Sequence, residues 1–254
     1  MAKLKGKVAL VTGASRGIGR AIAGRFAEEG ALVAVHYGHN RDGAEEVVRD
    51  IEAKGGTAFS LGADLGSFDG VSTLFDALDS ELTRRTGSLR FDILVNNAGM
   101  GLAASIEETT EEAYDAIMRV NVKAPFFLTQ QALPRLRDDG RILNLSSAVT
   151  RISLPGIPAY TMTKAAVNAL TLSLASQLGP RGITINAIQP GFVATDMNAG
   201  MLGDPDGYRF GAGFSIFGRW GQPEDIADVA AFLASPEGRW VTGQCIDASG
   251  GSHL

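Results

Sequence analysis

Short runs of consecutive apolar residues recur along the chain and alternate with longer segments whose apolar residues return every three or four positions. Continuous apolar runs are typical of strands covered on both faces of a parallel sheet, and the wider spacing is typical of amphipathic helices. The predicted strands are 8–11, 32–35, 58–61, 92–95, 141–145, 183–188 and 244–247. The predicted helices are about 18–28, 41–54, 67–84, 110–136, 159–178 and 223–234.

Strands that alternate with helices through right-handed crossovers form a doubly wound sheet. No linker or shift in composition divides the chain, and its 254 residues suit one α/β domain. We therefore predict a single Rossmann-like domain over residues 1–254, with a parallel sheet of about seven strands and helices on both faces.

The amino-acid composition limits the kinds of partner that the protein is expected to bind and the cellular compartment in which it is expected. A net charge of −5 without a basic run argues against nucleic acid or an acidic membrane as a partner. The single cysteine, Cys245, cannot form an intramolecular disulfide, which favours a reducing compartment. The apolar run at residues 8–11 is too short for a signal peptide or a spanning helix. We expect a cytoplasmic protein without a metal site, because no ligand spacing surrounds His36, His39 and His253.

The first predicted strand leads into a glycine-rich turn, and a helix begins near Gly17. Glycines let the backbone approach a phosphate closely, and the N-terminus of a helix offers free N–H groups and the positive end of a dipole. The position after the first strand favours a dinucleotide site over a tight turn that binds nothing. The residues expected to contact the dinucleotide here are Gly13, Ser15, Arg16, Gly17, Ile18 and Gly19.

The turn after the second strand indicates which dinucleotide binds. A carboxylate there would accept hydrogen bonds from the ribose of NAD, but residues 35–41 contain no acid and the first one after the strand is Asp42. Arg16 and Arg41 are suited to pair with a 2′-phosphate, although both are also typical of a solvated surface. We predict NADPH (NADP+) as the cofactor and expect Tyr37 to contact it.

Two further segments follow the third and fourth strands, at the edge of the sheet where the dinucleotide is expected. Asp64, with Leu65 beside it, is placed to accept from the adenine amino group. Asn96, Ala98 and Gly99 allow close backbone approach to the adenosine ribose. An ordinary Asx turn is the alternative for each segment.

Tyr160 and Lys164 lie four residues apart on a predicted helix, so both side chains point to one side. An ammonium beside a phenol lowers the phenol pKa from about 10 and prepares it for acid/base chemistry. The alternative is an exposed polar face. Ser147 ends the fifth strand and is placed to hold a carbonyl oxygen, with Ser146 as its immediate rival.

Asn121 and Pro125 fall within the long predicted helix 110–136, which Thr109 and Glu112 are expected to open as a capping box. The ring of Pro125 clashes with the carbonyl of Asn121, four residues earlier. We expect a kink that leaves this carbonyl open to a water in a proton relay. A kink that only fits the helix to the core is the alternative.

Together these motifs resemble the short-chain dehydrogenase/reductases, in their branch of about 250 residues. The likeness runs from about residue 5 to about residue 251 and rests on Thr12-Gly13-x-x-x-Gly17-x-Gly19, Asn96-Asn97-Ala98-Gly99, Asn121, Ser147, Tyr160-x-x-x-Lys164 and Pro190-Gly191.

The resemblance implies a role for each matched residue. Tyr160 would be the acid in reduction, Ser147 would orient the carbonyl, and Asn121 would hold the relay water. Lys164 would bind the nicotinamide ribose and tune Tyr160. The nicotinamide segment would comprise Pro190, Gly191, Val193 and Thr195.

The chain as a whole looks most like ketoacyl-carrier-protein and polyketide ketoreductases. This implies NADPH-dependent reduction of a ketone to a secondary alcohol, on a small-molecule substrate that is carrier-protein-bound or polycyclic. An NAD-dependent alcohol dehydrogenase and a non-catalytic dinucleotide sensor are the alternatives, although a sensor needs no proton donor. The family analogy implies a homotetramer or homodimer.

Two segments are less typical of the resemblance. The apolar side chains of residues 195–218, set among glycines, predict a mobile substrate lid or a surface that packs on another subunit. The connection at 84–90 is a few residues longer than expected, and its function is not predicted.

Overall fold

The computed structural model describes residues 2–254 and contains one seven-stranded sheet in the order β3-β2-β1-β4-β5-β6-β7. Every neighbouring pair of strands is parallel, and the predicted fold class is confirmed. Because the strand order reverses between β1 and β4, their carboxyl ends flank the crevice where such sheets bind ligands. The strands are β1 Val8–Val11, β2 Leu32–Tyr37, β3 Thr57–Gly62, β4 Phe91–Asn96, β5 Leu136–Leu145, β6 Thr184–Pro190 and β7 Cys245–Ala248.

Helices cover both faces of the sheet, because each buries an apolar stripe against continuous apolar strands. One face carries α1 Gly17–Glu28, α2 Arg41–Ala53 and α9 Pro223–Ala234. The other carries α3 Gly70–Thr86, α5 Ala124–Ala132 and α6 Pro158–Leu178. The remaining α-helices of the described residues are α4 Glu111–Met118, α7 Ala199–Leu202 and α8 Pro205–Phe214.

The predicted helix 110–136 is interrupted. A π-helical segment, Arg119–Lys123, separates α4 from α5, and the chain is already in β5 at Leu136. Pro125 has no N–H to donate to the Asn121 carbonyl, so the regular ladder fails where the sequence predicts a kink. The expected cap was wrong by one residue, because Thr110 begins α4 and its hydroxyl accepts from the Ala113 N–H at 3.2 Å.

The predicted lid contains α7 and α8, and two of its aromatic side chains make ring contacts with a residue after β6. The rings of Phe210 and Phe214 contact Phe192, whose ring also meets Trp220. Met197 and Phe217 remain exposed.

The end of the lid is bound to the C-terminal residues. The Gly250 carbonyl accepts from the Ile216 N–H and the Ser215 hydroxyl, each at 3.0 Å. His253 lies against Phe214, with ring centroids 4.2 Å apart. These contacts join the end of the lid to the residues that follow β7.

Part of the longer connection at 84–90 is helical. Helix α3 continues to Thr86 and ends at Gly87, whose φ of 71° is in the left-handed region that favours glycine. Arg84 and Arg85 both pair with Glu81 one turn earlier. Within residues 2–254, no helix is both long enough and apolar enough to cross a membrane.

Candidate active site

The glycine-rich turn joins the end of β1 to the start of α1. Gly13 and Gly17 have φ of 63° and 56°. A Cβ on Gly13 would lie 2.8 Å from the Ala98 Cα, and one on Gly19 would lie 2.4 Å from the Asn97 Nδ2. The turn therefore contacts the loop after β4 directly and has no room for side chains. No side chain caps α1 and no acid lies in its first turn, so its N–H groups suit an anion.

Thr12 and Asn97 hold the turn to this loop, and sequence reasoning missed both roles. The Thr12 hydroxyl accepts from the N–H groups of Asn97 and Ala98, each at 3.0 Å, and donates to the Val95 carbonyl. The Asn97 amide donates to the carbonyls of Thr12 and Gly13 at 2.8 and 3.0 Å. These bonds link positions more than eighty residues apart, which local patterns do not reveal.

His36 lies beneath the turn and is buried. Its Nδ1 accepts from the Gly13 N–H at 3.1 Å, so its Nε2 carries the proton and donates to the Ala63 carbonyl at 2.9 Å. Burial lowers the pKa of this imidazole to about 4. A neutral His36 therefore fixes the backbone of the turn.

The residues expected at the adenosine end lie around the ends of β2 and β3. Arg16 faces Asp196 at 3.7 Å, and Arg41 pairs with Glu45 at 2.7 Å. Both guanidinium groups are mostly exposed. β2 ends at Tyr37 without a carboxylate, so the acids near these two arginines are Asp196 and Glu45 and not a residue at the end of the strand.

The side chains of two other residues predicted to contact the dinucleotide form hydrogen bonds within the protein. The Asp64 carboxylate accepts from the Gly66 N–H at 2.9 Å, which is an Asx turn. The Asn96 amide is buried and donates to the Asn144 side chain at 2.8 Å. Leu65 is buried as well, whereas Asp64 is exposed and its backbone carbonyl accepts from the Ser67 hydroxyl at 2.7 Å.

Helix α6 places the Lys164 side chain beside the ring of Tyr160. The Lys164 ammonium donates to the Leu145 carbonyl at 2.8 Å and lies over the Tyr160 ring, 5.5 Å from its centroid. Burial lowers the pKa of Lys164 to about 8. The predicted pair therefore faces the interior of the site, and its alternative, an exposed polar face, was wrong.

The net pKa of Tyr160 changes in the direction opposite to the expected one. Burial raises the pKa of the Tyr160 phenol, and its interaction with the Ser147 hydroxyl only partly opposes this. Desolvation of the phenolate exceeds the stabilisation that the neighbouring groups provide.

The two adjacent serines have different partners. The Ser146 hydroxyl donates to the Lys164 backbone carbonyl at 3.2 Å and is buried. The Ser147 hydroxyl is the one that interacts with the Tyr160 phenol. The rivalry between them is thereby resolved in favour of Ser147 as the group beside Tyr160.

Asn121 lies in the π-helical segment and is buried. Its side chain accepts from the Met100 N–H and donates to the Met100 carbonyl, both at 2.9 Å. A Cβ on Gly99 would lie 3.3 Å from the Asn121 Oδ1 and 3.7 Å from the Lys164 Nζ. The predicted relay residues therefore converge on the loop after β4.

The segment after β6 crosses the mouth of the crevice. Val193 is buried and pairs with Gly221 in an isolated parallel bridge. A Cβ on Gly17 would lie 3.3 Å from the Thr195 Cγ2, and one on Gly101 would lie 3.7 Å from the Met197 Sδ. Residues 195–197 thus span from the glycine turn to the loop after β4. Among residues 2–254, no three or more His, Cys, Asp or Glu side chains form a group able to hold a metal ion.

Comparisons with known proteins cover nearly the whole chain. A family model described as enoyl-(acyl carrier protein) reductase matches residues 13–253. An uncharacterized oxidoreductase of Methylorubrum extorquens is 44% identical over 99% of both chains. The 3-oxoacyl-[acyl-carrier-protein] reductase FabG of Staphylococcus aureus is 42% identical over 98% of both.

Two solved structures are similar along their full length. The angucycline C-6 ketoreductase LanV, solved with bound NADP, is 48% identical, with a TM-score of 0.95 and coverage of 98% of this chain and 96% of that one. LugOII, which catalyses keto-reduction at C1 in lugdunomycin biosynthesis, is also 48% identical, with a TM-score of 0.95 and 98% coverage of both chains.

Proposed function

The chain belongs to the short-chain dehydrogenase/reductase family, and from this premise we propose that it reduces a ketone on a polycyclic aromatic substrate. The reaction class is NADPH-dependent reduction of a ketone to a secondary alcohol. The observation that carries the substrate class is the 48% identity to two ketoreductases, which exceeds the 42% to FabG.

The residues around the crevice fit NADPH. The glycine turn leaves α1 uncapped for a diphosphate, and Arg16 and Arg41 stand without a competing ribose acceptor. When bound, NADPH supplies the hydride for the reduction. The residues proposed to hold it are Gly13, Ser15, Arg16, Gly17, Ile18, Gly19, Tyr37, Asp64, Leu65, Asn96, Ala98, Gly99, Tyr160, Lys164, Pro190, Gly191, Val193 and Thr195.

Three side chains and one backbone carbonyl are proposed to move or place the proton. Tyr160 gives its phenolic proton to the ketone oxygen as the alkoxide develops, while Ser147 donates a hydrogen bond to the same oxygen. Lys164 holds positive charge beneath the phenol and stabilises the phenolate left behind. Asn121 offers its backbone carbonyl to the water that returns a proton along this path.

The lid favours a free polycyclic substrate over a carrier-bound one. Residues 195–218 contain three aspartates and one arginine, a formal charge of −2, and of these aspartates Asp206 pairs with Arg209 and Asp196 faces Arg16. An acidic carrier protein would meet like charge there. Met100 and Met197 are exposed near the entrance, and flexible thioether side chains adapt to flat apolar ligands.

A substrate panel tests this proposal. Purified protein is given NADPH with a polycyclic aromatic ketone, a 3-oxoacyl thioester and an enoyl thioester, and NADPH consumption is followed. We expect reduction of the polycyclic ketone with the highest kcat/KM. Preferred turnover of either thioester would refute the substrate class.

A matched pair of variants tests the proton donor. Tyr160→Phe should lose at least about a thousandfold in kcat while NADPH affinity changes little, since only the acid is removed. Tyr208→Phe, on the lid, should retain turnover. Unchanged kcat in Tyr160→Phe would exclude Tyr160 as the proton donor, whereas a wild type that binds NADPH and turns over no substrate would favour a non-catalytic sensor.

We also propose a homotetramer, because two separate apolar faces are exposed. Phe126, Phe127 and Leu172 form one face on α5 and α6, and Trp240 and Phe232 form another beside the edge strand β7. Two self-complementary faces on different two-fold axes generate a closed tetramer. Light scattering should show four copies for the wild type and two for Leu172→Glu; a monomeric wild type would refute this assembly.

A cytoplasmic location completes the proposal. The single cysteine and the reduced cofactor both suit a reducing compartment. Cell fractionation with an antibody to the protein tests this, and recovery outside the cytoplasm would refute it.

A further inference from the structure

Thr163, one residue before Lys164, is fully buried and has two specific hydrogen-bond partners. The Asn121 amide donates to its hydroxyl at 3.2 Å, and the hydroxyl donates to the Tyr160 backbone carbonyl at 2.7 Å. An amide nitrogen only donates and a carbonyl only accepts, so the direction of both bonds is fixed. Thr163 therefore connects the π-helical segment to the first turn of α6.

The bond from Asn121 has a consequence for the backbone of that residue. Two of its side-chain bonds go to Met100, in the loop after β4, and the third reaches α6 through Thr163. Without the third bond, the Asn121 amide and the peptide behind it lose their tie to the helix that carries Tyr160. The carbonyl proposed to hold the relay water is part of this unit.

We propose that Thr163 is a positioning residue for the reduction, which aligns the Asn121 carbonyl with Tyr160 and Lys164. This inference rests on the proposed function, because it assigns Thr163 a part in the proton path of that reaction. Thr163 touches neither substrate nor cofactor in this role. It acts through Asn121 and through the backbone of Tyr160.

The same helix provides a matched control in Thr171, two turns later. Thr171 is also fully buried, its hydroxyl donates to the Val167 carbonyl at 2.9 Å, and it accepts from the Asn144 amide at 2.9 Å. The two threonines thus share burial, helix and bonding pattern. They differ in their connection, since only Thr163 is bonded to both Asn121 and Tyr160.

The experiment compares Thr163→Val, Thr163→Ser and Thr171→Val by thermal unfolding, NADPH affinity, and kcat and KM from pH 6 to 9. Valine keeps the shape of threonine without its hydroxyl, so both valine variants should lose a similar Tm. We expect Thr163→Val to lose about tenfold to a hundredfold in kcat, because small misplacements of reacting groups have effects of this size. Its KM and NADPH affinity should change less than about threefold, and its pH profile should shift. Thr163→Ser should restore most of kcat, and Thr171→Val should stay near the wild type.

Equal kcat and unchanged pH profiles in the two valine variants would overturn the inference while leaving the proposed function intact. So would a kcat in Thr163→Ser as low as in Thr163→Val. If Thr163→Val does not fold, the comparison is made between Thr163→Ala and Thr163→Ser, with the same expected difference in kcat. A wild-type protein that reduces no ketone would overturn the proposed function and this inference together.

Discussion

Acidification should weaken the fold through His36, the imidazole beneath the glycine turn. Its pKa is about 4 in the folded protein, against 6.5 for an unperturbed histidine. The unfolded chain therefore binds the proton first as the pH falls below 6.5. The stabilisation from neutral His36 is fully present above that value and is lost as the pH falls toward 4.

The size of the effect follows from this difference in pKa. The free energy of unfolding should fall by about 2 kcal/mol between pH 7 and pH 5 and by about 3 kcal/mol by pH 4, from His36 alone. Burial of the imidazole is the cause of the lowered pKa, and a second proton on Nδ1 would also face the Gly13 N–H, which now donates to it at 3.1 Å. Two donors would then meet in a buried place.

Urea unfolding from pH 7 to pH 4.5 measures this, with the fluorescence of buried Trp220 as the signal. His36→Asn removes the titrating ring and keeps an acceptor for Gly13, so its unfolding free energy should fall less steeply with acid. Carboxylate titration is common to both proteins and cancels in the difference. His39→Asn, at an exposed position, should follow the wild type. Parallel curves for wild type and His36→Asn would refute the reasoning.

Three further predictions concern the same crevice. Lys164→Met should abolish turnover yet raise the free energy of unfolding at pH 7 by about 2 kcal/mol, because relief of about 3 kcal/mol of desolvation exceeds one lost hydrogen bond. Since the pKa of Lys164 in the folded protein is about 8, the stability difference between this variant and the wild type should shrink from pH 8 toward pH 10.5, as urea titrations would show. Thr12→Val should cost about 2–5 kcal/mol, measured by urea unfolding, because it leaves two N–H groups of the loop without their acceptor. Arg16→Ala should weaken NADPH about tenfold and NADH little, with a smaller loss for Arg41→Ala, as calorimetry would show. The first prediction would be contradicted by a wild type more stable than Lys164→Met, and the second by a Thr12→Val variant as stable as the wild type. The third would be contradicted if Arg16→Ala lost the same affinity for NADPH and for NADH.

The sheet and its helices were predictable because each strand is a continuous apolar run that needs cover on both faces. The stretch from 110 to 136 was predictable only in part. Pro125 predicts a break in this helix. The π-helical segment and the early start of β5 depend on how Asn121 and Leu136 contact other elements. The cap moved from Thr109 to Thr110 because either threonine can serve as an N-cap, and the Thr109 hydroxyl instead donates to the Ser105 carbonyl at 2.7 Å.

At the site, the residues that match a motif were found and the residues that support them were missed. Thr12, His36 and Thr163 act through hydrogen bonds to partners distant in sequence, and no spacing encodes such bonds. Burial also determines the direction of the Tyr160 pKa shift. The spacing of Tyr160 and Lys164 suggested a lowered pKa, but burial raises it. The role assigned to each contact with NADPH stays a prediction.

The bonds between the lid and the C-terminal residues bear on how this protein can be engineered. The Gly250 carbonyl holds the end of the lid, and His253 supports Phe214, which packs on the segment after β6. A purification tag or fused domain attached at Leu254 would pull on the substrate entrance. Fusion partners and surface tethers are therefore better attached near Lys3, which is bonded to Glu29 and Glu237 and not to the lid. A biocatalyst built from this scaffold should be immobilised from that end.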